Sequence, residues 1–289
     1  RDRIYMAYCT IAHHIRKIDP SSLREEFFDF IFLGKGDADE VAKLCGVDAS
    51  TLKALRSEFT YFYPLDARHS GRDLVPNHLT FFIFNHAAIF PKHLWPRAIV
   101  VNGSVLMEGK KMSKSYGNII PLREAISKYC ADALRLALLA TAELLQDADI
   151  SIRLIRSFQE RLERFYTFAE DVLALRCEET PTYTIADRWL ISRLQEVVEK
   201  TTKAMERLKV REAIYNIIFV LDQDVAKYQK IRASSKIGDL DARANVLREV
   251  LDVKIRLLAP FAPYICEELW QRVRGEGFVC FAPWPSMGR

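Results

Sequence analysis

Ile155-Arg156-Ser157-Phe158-Gln159-Glu160-Arg161-Leu162-Glu163-Arg164-Phe165-Tyr166-Thr167-Phe168-Ala169-Glu170-Asp171-Val172-Leu173-Ala174-Leu175 is the stretch on which the reading of the fold turns. Ile155, Phe158, Leu162, Phe165, Phe168, Val172 and Leu175 recur at steps of three and four. That spacing lines one face of an α-helix, and an apolar stripe of this kind is buried against neighbours. The same period returns three times downstream. It runs through Trp189, Leu190, Leu194, Val197, Val198, Met205 and Leu208, then through Ala213, Ile214, Ile217, Leu221, Val225 and Tyr228. A last stripe of Val246, Val250, Val253 and Leu257 is halted by Pro260 and Pro263. Polar breaks at 178–184 and 233–241 part the stripes, so the chain from Leu122 onward reads as an all-α bundle, with a short closing strand at 277–281.

Upstream the pattern is mixed. Ser22 to Glu25 spells S-x-x-E, a capping box that predicts a helix carrying Phe27, Phe28, Phe30 and Ile31 and ending at Gly34 and Gly36. Asp37 caps a short helix stopped at Gly46, and a further helix is expected over 50–59. Residues 61–64 and 99–102 read as short buried strands. Between them Asp73 starts a long apolar helix through Ile89, with Pro76 tolerated in its first turn. Strand, helix, strand in this order implies a parallel α/β layer.

The chain has 289 residues, of which 49 % are hydrophobic and 28 % charged. This balance excludes a disordered tail, a collagen-like chain or a disulfide-dense scaffold. At about 150 residues per domain the length suggests two domains or one large one. The longest apolar run, Leu257 to Cys266, holds two prolines and is too short to span a membrane. A net charge of +4 permits a nucleic-acid partner without announcing one. Six cysteines without a C-x-x-C pair, and a charged N-terminus with no signal peptide, read as idle thiols in a reducing cytoplasm. A chain starting at Arg1 rather than Met reads as processed or as a piece of a longer one.

Gly109-Lys110-Lys111-Met112-Ser113-Lys114-Ser115-Tyr116-Gly117-Asn118 carries the most chemistry. Glycines at both ends make a flexible loop, the lysines supply mobile point charges and the serines supply hydroxyls, a set suited to a polyanion such as a triphosphate. Ser70-Gly71-Arg72-Asp73 opens the long helix, and Asn102-Gly103 follows a strand. No metal-ligand spacing is visible.

Lys111 to Ser115, K-M-S-K-S, resembles the signature loop of class I aminoacyl-tRNA synthetases. Leu257-Leu258-Ala259-Pro260-Phe261-Ala262-Pro263, then Glu267-Glu268-Leu269-Trp270 and Ala282-Pro283-Trp284-Pro285, are similar to the end of the class Ia anticodon-binding bundle. Pro121-Leu122-Arg123-Glu124-Ala125-Ile126, Ala142-Glu143-Leu144-Leu145-Gln146-Asp147-Ala148-Asp149, Glu26-Phe27-Phe28-Asp29 with Ile31-Phe32-Leu33-Gly34-Lys35-Gly36-Asp37, and Tyr5-Met6-Ala7-Tyr8 with Thr10-Ile11-Ala12-His13 resemble the leucyl-tRNA synthetases of archaeal and eukaryotic cytosolic type. The resemblance covers essentially the whole chain. It implies a partial Rossmann-like α/β catalytic domain over 1–150, with the signature loop at 108–118, and an all-α anticodon-binding-type bundle over 151–289.

The resemblance implies ATP-dependent formation of leucyl-adenylate and transfer of leucine to tRNA(Leu). Lys111 and Lys114 would stabilise the negative charge that develops on the phosphates, Lys114 foremost. Met112, Ser113 and Ser115 would complete the ATP loop, Asp73 would accept from the ribose hydroxyls, and Gly71 would let the nucleotide approach. His78, Tyr5 and Tyr8 would line the leucine and adenylate pocket, though core packing explains all three nearly as well. Asn102 and Gly103 would meet the adenine, or form a plain turn. Mg2+ would arrive with ATP. Arg153, Arg156, Arg161, Arg164, Lys200, Lys203, Arg207 and Lys209 are spaced along the bundle helices, where phosphate contact and simple solvation are equally good readings.

The family's second ATP signature, H-I-G-H-like, is missing. His13-His14-Ile15-Arg16 lacks the glycine, and His69-Ser70-Gly71-Arg72 ends in arginine just ahead of the signature loop. The family's editing insertion is missing too. The expected protein is therefore the part following that insertion, incompetent alone, with the N-terminal portion as partner. A sibling enzyme for isoleucine, valine or methionine, and a non-catalytic tRNA-binding module, are the competing readings.

Overall fold

The structure is a computed structural model that describes residues 5–113, 115, 117–177, 180–234 and 240–286. The chain forms two compact units, Arg1–Asn102 and Gly103–Arg289.

The first unit opens with α1 (Tyr5–Ile15). The S-x-x-E box at Ser22 does not form. Asp19, just before Pro20, accepts from the Ser21 amide at 2.8 Å and closes a single 3-10 turn over Pro20–Ser22. α2 (Glu25–Phe28) starts after an extended Arg24 with no side-chain cap and runs into a wider π-type turn, Asp29–Leu33, closed by Gly34 at φ 70°. α3 (Ala38–Cys45) begins at the expected Asp37 cap and ends at Gly46. α4 (Ala49–Phe62) is capped by Asp48 and continues three residues beyond the expected end. The strand expected at 61–64 is therefore the end of a helix and its cap. Leu52, Leu55, Phe59 and Tyr63 continue a three- and four-residue period, and Tyr63 is buried with its ring 4.7 Å from that of Phe59. One core joins α1 to α4 through Ala7, Ile11, Phe27, Ile31, Leu52, Leu55 and Phe59.

The strand sits later, as β1 (Arg68–Gly71). Helical turns over Arg72–Leu74 and Val75–Leu79 lead into α5 (Thr80–Ile89). Pro76 has no amide hydrogen to donate, which explains why regular α-geometry starts only at Thr80. β2 (Ile99–Asn102) then pairs parallel with β1, so the expected parallel layer exists as two strands joined by a helical crossover.

In the second unit, β3 (Val105–Met107) and β4 (Lys110–Lys111) form a hairpin, and β5 (Ala148–Ile150) adds parallel to β3. α6 (Leu122–Tyr129) and α7 (Ala131–Leu139) separate the hairpin from β5. The bundle follows as α8 (Ile152–Ala174), α9 (Ile185–Glu206), α10 (Val210–Tyr215), α11 (Leu221–Ser234), α12 (Leu240–Leu258) and α13 (Pro263–Arg274). The four expected stripes form its core, with Ile155, Phe158, Leu162, Leu190, Leu194, Ile217, Tyr228, Val250 and Leu257 all buried. Pro263 opens α13 rather than merely ending α12, since proline suits the first helical turn. The expected closing strand is a 3-10 turn at Val279–Phe281. Val279 is buried, and its amide donates to the Glu267 carboxylate at 3.1 Å rather than to a ladder. Among the described residues no helix is long and apolar enough to cross a membrane.

Candidate functional site

Two groups of candidate residues occupy separate units. In the first, β1 and β2 run in register, with Arg68 opposite Ile99 and Gly71 opposite Asn102. Two residues from distant parts of the sequence thus stand side by side at the carboxyl ends of parallel strands, the edge at which open α/β sheets bind ligands. A Cβ on Gly71 would lie 2.6 Å from Asp73 Oδ1, so the bare glycine is what lets that carboxylate fold back over the strand end. Asp73 is exposed in the first helical turn, and its carbonyl accepts from Asn77 Nδ2 at 3.2 Å. His78 is half-buried, with Nε2 3.3 Å from Arg68 Nη2. Arg68 was not singled out in the sequence. Its Nε is buried without a hydrogen-bond partner, and its place beside His78 comes from a strand that R-H-S-G does not advertise.

Tyr5 is exposed at the start of α1, and Tyr8 lines an open, mainly apolar pocket of about 370 Å³ with Phe28, Phe32, Leu33, Ile89 and Phe90. That pocket's lining includes none of Gly71, Asp73 or His78. Deeper in this unit, His86 is buried against Tyr63, Phe82 and Phe90. Its Nδ1 lies 2.8 Å from the Phe82 carbonyl and its Nε2 lies 3.3 Å from the Tyr63 hydroxyl. Burial pushes the Tyr63 phenol up to about 12 and pulls the His86 imidazole down, so a neutral His86 donates from Nδ1 and accepts from Tyr63.

The second group is built on the β3–β4 hairpin. Glu108 and Gly109 turn it at φ 52° and 75°, the left-handed pair of a tight two-residue hairpin. The Gly109 amide donates to Asp149 Oδ1 at 2.9 Å, tying the turn to β5. Lys111 follows, exposed, at the mouth of the basic loop. Asn118 holds the loop's two arms together. Its Nδ2 donates to the Lys111 carbonyl at 3.2 Å and its Oδ1 accepts from the Ser113 amide at 2.9 Å. Ser113 Oγ lies 2.7 Å from Ser115 Oγ and accepts from the Ser115 amide. Met112 is half-buried. Lys114 and Tyr116 lie outside the described residues. The bridging role of Asn118 follows from loop closure across seven residues, for which no spacing rule exists. Gly103 is packed for its own reason. Its amide donates to the Leu144 carbonyl at 3.0 Å, and a Cβ there would meet the Gln146 carbonyl oxygen at 2.2 Å.

In the bundle, Lys200 pairs with Glu196 at 2.5 Å, Lys203 with Glu199 at 2.5 Å, Lys209 with Glu212 at 3.3 Å and Arg164 with Glu160 at 4.0 Å. The Arg161 guanidinium stacks 4.2 Å over the Phe219 ring. Much of the expected basic surface is therefore balanced by acids on its own helices. His13, His14 and Glu58, which no spacing along the sequence connects, bring one donor atom each within 4.8 Å of one another.

The family described as tRNA synthetases class I (I, L, M and V) matches residues 46–151, and the Anticodon-binding domain of tRNA ligase matches 187–289. The chain is 42 % identical to leucine–tRNA ligase 2 of Saccharolobus solfataricus, over 98 % of this chain and 30 % of that protein. It is 44 % identical to the leucine–tRNA ligase of Methanothrix thermoacetophila and 46 % identical to that of Pyrobaculum islandicum, over 98 % of this chain and 29 % of each relative. The chain thus spans about three-tenths of the length of the curated relatives it matches. In fold it is similar to the LeuRS of a ternary complex with tRNA and LeuAMS from Agrobacterium radiobacter, with a TM-score of 0.64 at 22 % identity over 91 % of this chain and 32 % of that one. A Mycobacterium tuberculosis methionyl-tRNA synthetase in complex with methionyl-adenylate gives 0.63 at 20 %, over 78 % of this chain and 49 % of that one. Along nearly its whole length, then, this chain is similar to one part of the archaeal leucine–tRNA ligases, and it carries matches to both a class I tRNA synthetase family and an anticodon-binding family.

Proposed function

We propose that this chain supplies the later part of the ATP site and the tRNA-binding bundle of an enzyme that charges tRNA(Leu) with leucine. In the first step the leucine carboxylate attacks the α-phosphorus of ATP and pyrophosphate leaves. In the second the 2′-hydroxyl of the terminal tRNA ribose attacks the acyl carbon and AMP leaves. Lys111 and Lys114 stabilise the charge on the α-phosphate and the departing pyrophosphate, with Mg2+ entering on ATP. Ser113, Ser115 and Met112 shape that loop. Asp73 accepts from the ribose hydroxyls beside the bare backbone of Gly71, and Asn102 and Gly103 meet the adenine. Tyr5, Tyr8 and His78 line the leucine side. Residues 1–150 form the catalytic part and 151–289 the tRNA-binding part, and the enzyme acts in the cytoplasm.

The observation that carries this reading is identity above 40 % with leucine–tRNA ligases along 98 % of the chain. The placement of Gly71 against Asn102 and the Asn118-tied lysine loop supports it. The test is leucine-dependent ATP–pyrophosphate exchange, run with the chain alone and with the N-terminal portion of a relative supplied. Exchange only with both pieces, and only with leucine, is expected. Preference for isoleucine, valine or methionine would move the reading to a sibling. Silence from two pieces shown to associate would leave a tRNA-binding module.

A further inference from the structure

We propose that His13, His14 and Glu58 form a binding site for a divalent transition cation of the zinc class. His13 and His14 are consecutive on α1, and Glu58 comes from α4 in the same unit. Glu58 divides its carboxylate between them, with Oε1 3.2 Å from His13 Nε2 and Oε2 2.7 Å from His14 Nε2. The two imidazole centroids are 4.1 Å apart, with their planes at 42°. Consecutive side chains leave a helix about 100° apart, so both rings turn toward one point only when something draws them there.

Without an ion, each oxygen of Glu58 meets one ring. An ion pair at a water-facing site is weak, and holding two neighbouring imidazoles in place costs side-chain entropy. A cation offsets both costs by bonding every donor at once. The donors suit it. Two imidazole nitrogens and one carboxylate oxygen are ligands zinc takes, with a fourth position left for water, whereas magnesium and calcium prefer oxygen throughout. At ordinary Zn–N and Zn–O lengths, tetrahedral donors lie about 3.3 Å apart; the His13–Glu58 distance of 3.2 Å is close to that, while the 2.7 Å His14–Glu58 hydrogen bond opens by a few tenths of an ångström when the ion enters. The side chains are 59 %, 38 % and 28 % exposed in the order His13, His14, Glu58, which leaves a path for the ion and its water. Occupied, the site clips α1, the helix that carries Tyr5 and Tyr8, onto α4.

The 289-residue chain, stripped with a chelator, would be titrated with Zn2+ against a colorimetric competitor. Co2+ would serve as a probe whose visible bands report four-coordination. One equivalent of Zn2+ is expected, unaffected by excess Mg2+, with a melting midpoint raised by roughly 5 °C at saturation. His14→Ala and Glu58→Gln should each weaken binding by at least about 100-fold, since even outer-shell partners are worth 10–100-fold. Glu58→Gln is isosteric, so its metal-free melting curve should match the parent and separate ligand loss from misfolding. Cys9→Ser is the control, because Cys9 lies one turn before His13 and its thiol is a rival ligand. No micromolar binding, unchanged affinity in both ligand variants, or loss of binding in Cys9→Ser would each overturn the assignment.

Discussion

At position 103 the smallest added side chain would meet the Gln146 carbonyl oxygen, so Gly103→Ala must push the backbone at 103 and the Gln146–Asp147 backbone apart. Overpacking of this kind costs about 1–3 kcal/mol, read as a lower urea midpoint with an unchanged slope. His86 gives a pH-dependent prediction. Burial holds the folded imidazole below the ordinary histidine range, so the unfolded chain binds a proton that the folded one resists. Stability is therefore full above about pH 6.5 and declines as pH falls below it. A series of melting curves should show this, and His86→Phe should flatten that part of the profile. In the basic loop, Lys114→Ala and Lys111→Ala in the complete enzyme are expected to abolish or sharply reduce pyrophosphate exchange while leaving the far-ultraviolet circular dichroism unchanged. Normal exchange in Lys114→Ala would remove the assignment.

Helices of the bundle are joined by a few buried polar groups as well as by their stripes. Asp187, at the third position of α9, is fully buried. It completes a capping box with Thr184 and accepts from the Tyr228 hydroxyl of α11 at 2.5 Å. Burial pushes its pKa up, but the hydrogen bonds from Thr184 and Tyr228 outweigh that and hold it below the usual value. Tyr228→Phe should cost about 2 kcal/mol, because a buried bond to a charged acceptor is lost and little volume changes. Chemical denaturation measures it, and no loss would show that Thr184 and Arg232 suffice. Asp132 of α7 plays a similar part at long range, accepting from the Tyr264 and Ile265 amides at 3.3 and 2.8 Å and so capping α13.

Across the whole molecule, α5 has no polar face. Phe81, Ile83 and Phe84 are 54 %, 49 % and 69 % exposed, and exposed apolar surface on such a helix marks a place that something covers. That surface supports the proposal that the rest of a catalytic domain packs here. The chain alone should bind a hydrophobic dye and self-associate, and adding the N-terminal portion should suppress both. Phe84→Ser should reduce dye binding in the isolated chain, and an unchanged signal would place the dye elsewhere. If the bundle docks tRNA through about six phosphates, affinity should fall by about 10³-fold between 50 and 200 mM salt. A flat response would exclude phosphate-led docking, a real outcome given how many bundle lysines already pair with glutamates on their own helices.

The bundle was legible because its helices bury one face over many turns. Ile155 to Leu175 repeat their period often enough for local sequence to identify the element and its inner side. The lysine loop was legible as chemistry, since charge and hydroxyl content need no fold to be recognised. Short elements were not. Arg68–Gly71 is a strand only because Ile99–Asn102 lies beside it, and residues 61–64 follow a helical period that their β-rich composition hides. The candidate site shares that limit. The family resemblance suggested Asp73 and Asn102, but the pairing of Gly71 with Asn102, the Asn118 bridge and the meeting of His13, His14 and Glu58 depend on contacts between distant segments. Such contacts form when separate elements pack, and no spacing along a single chain records them.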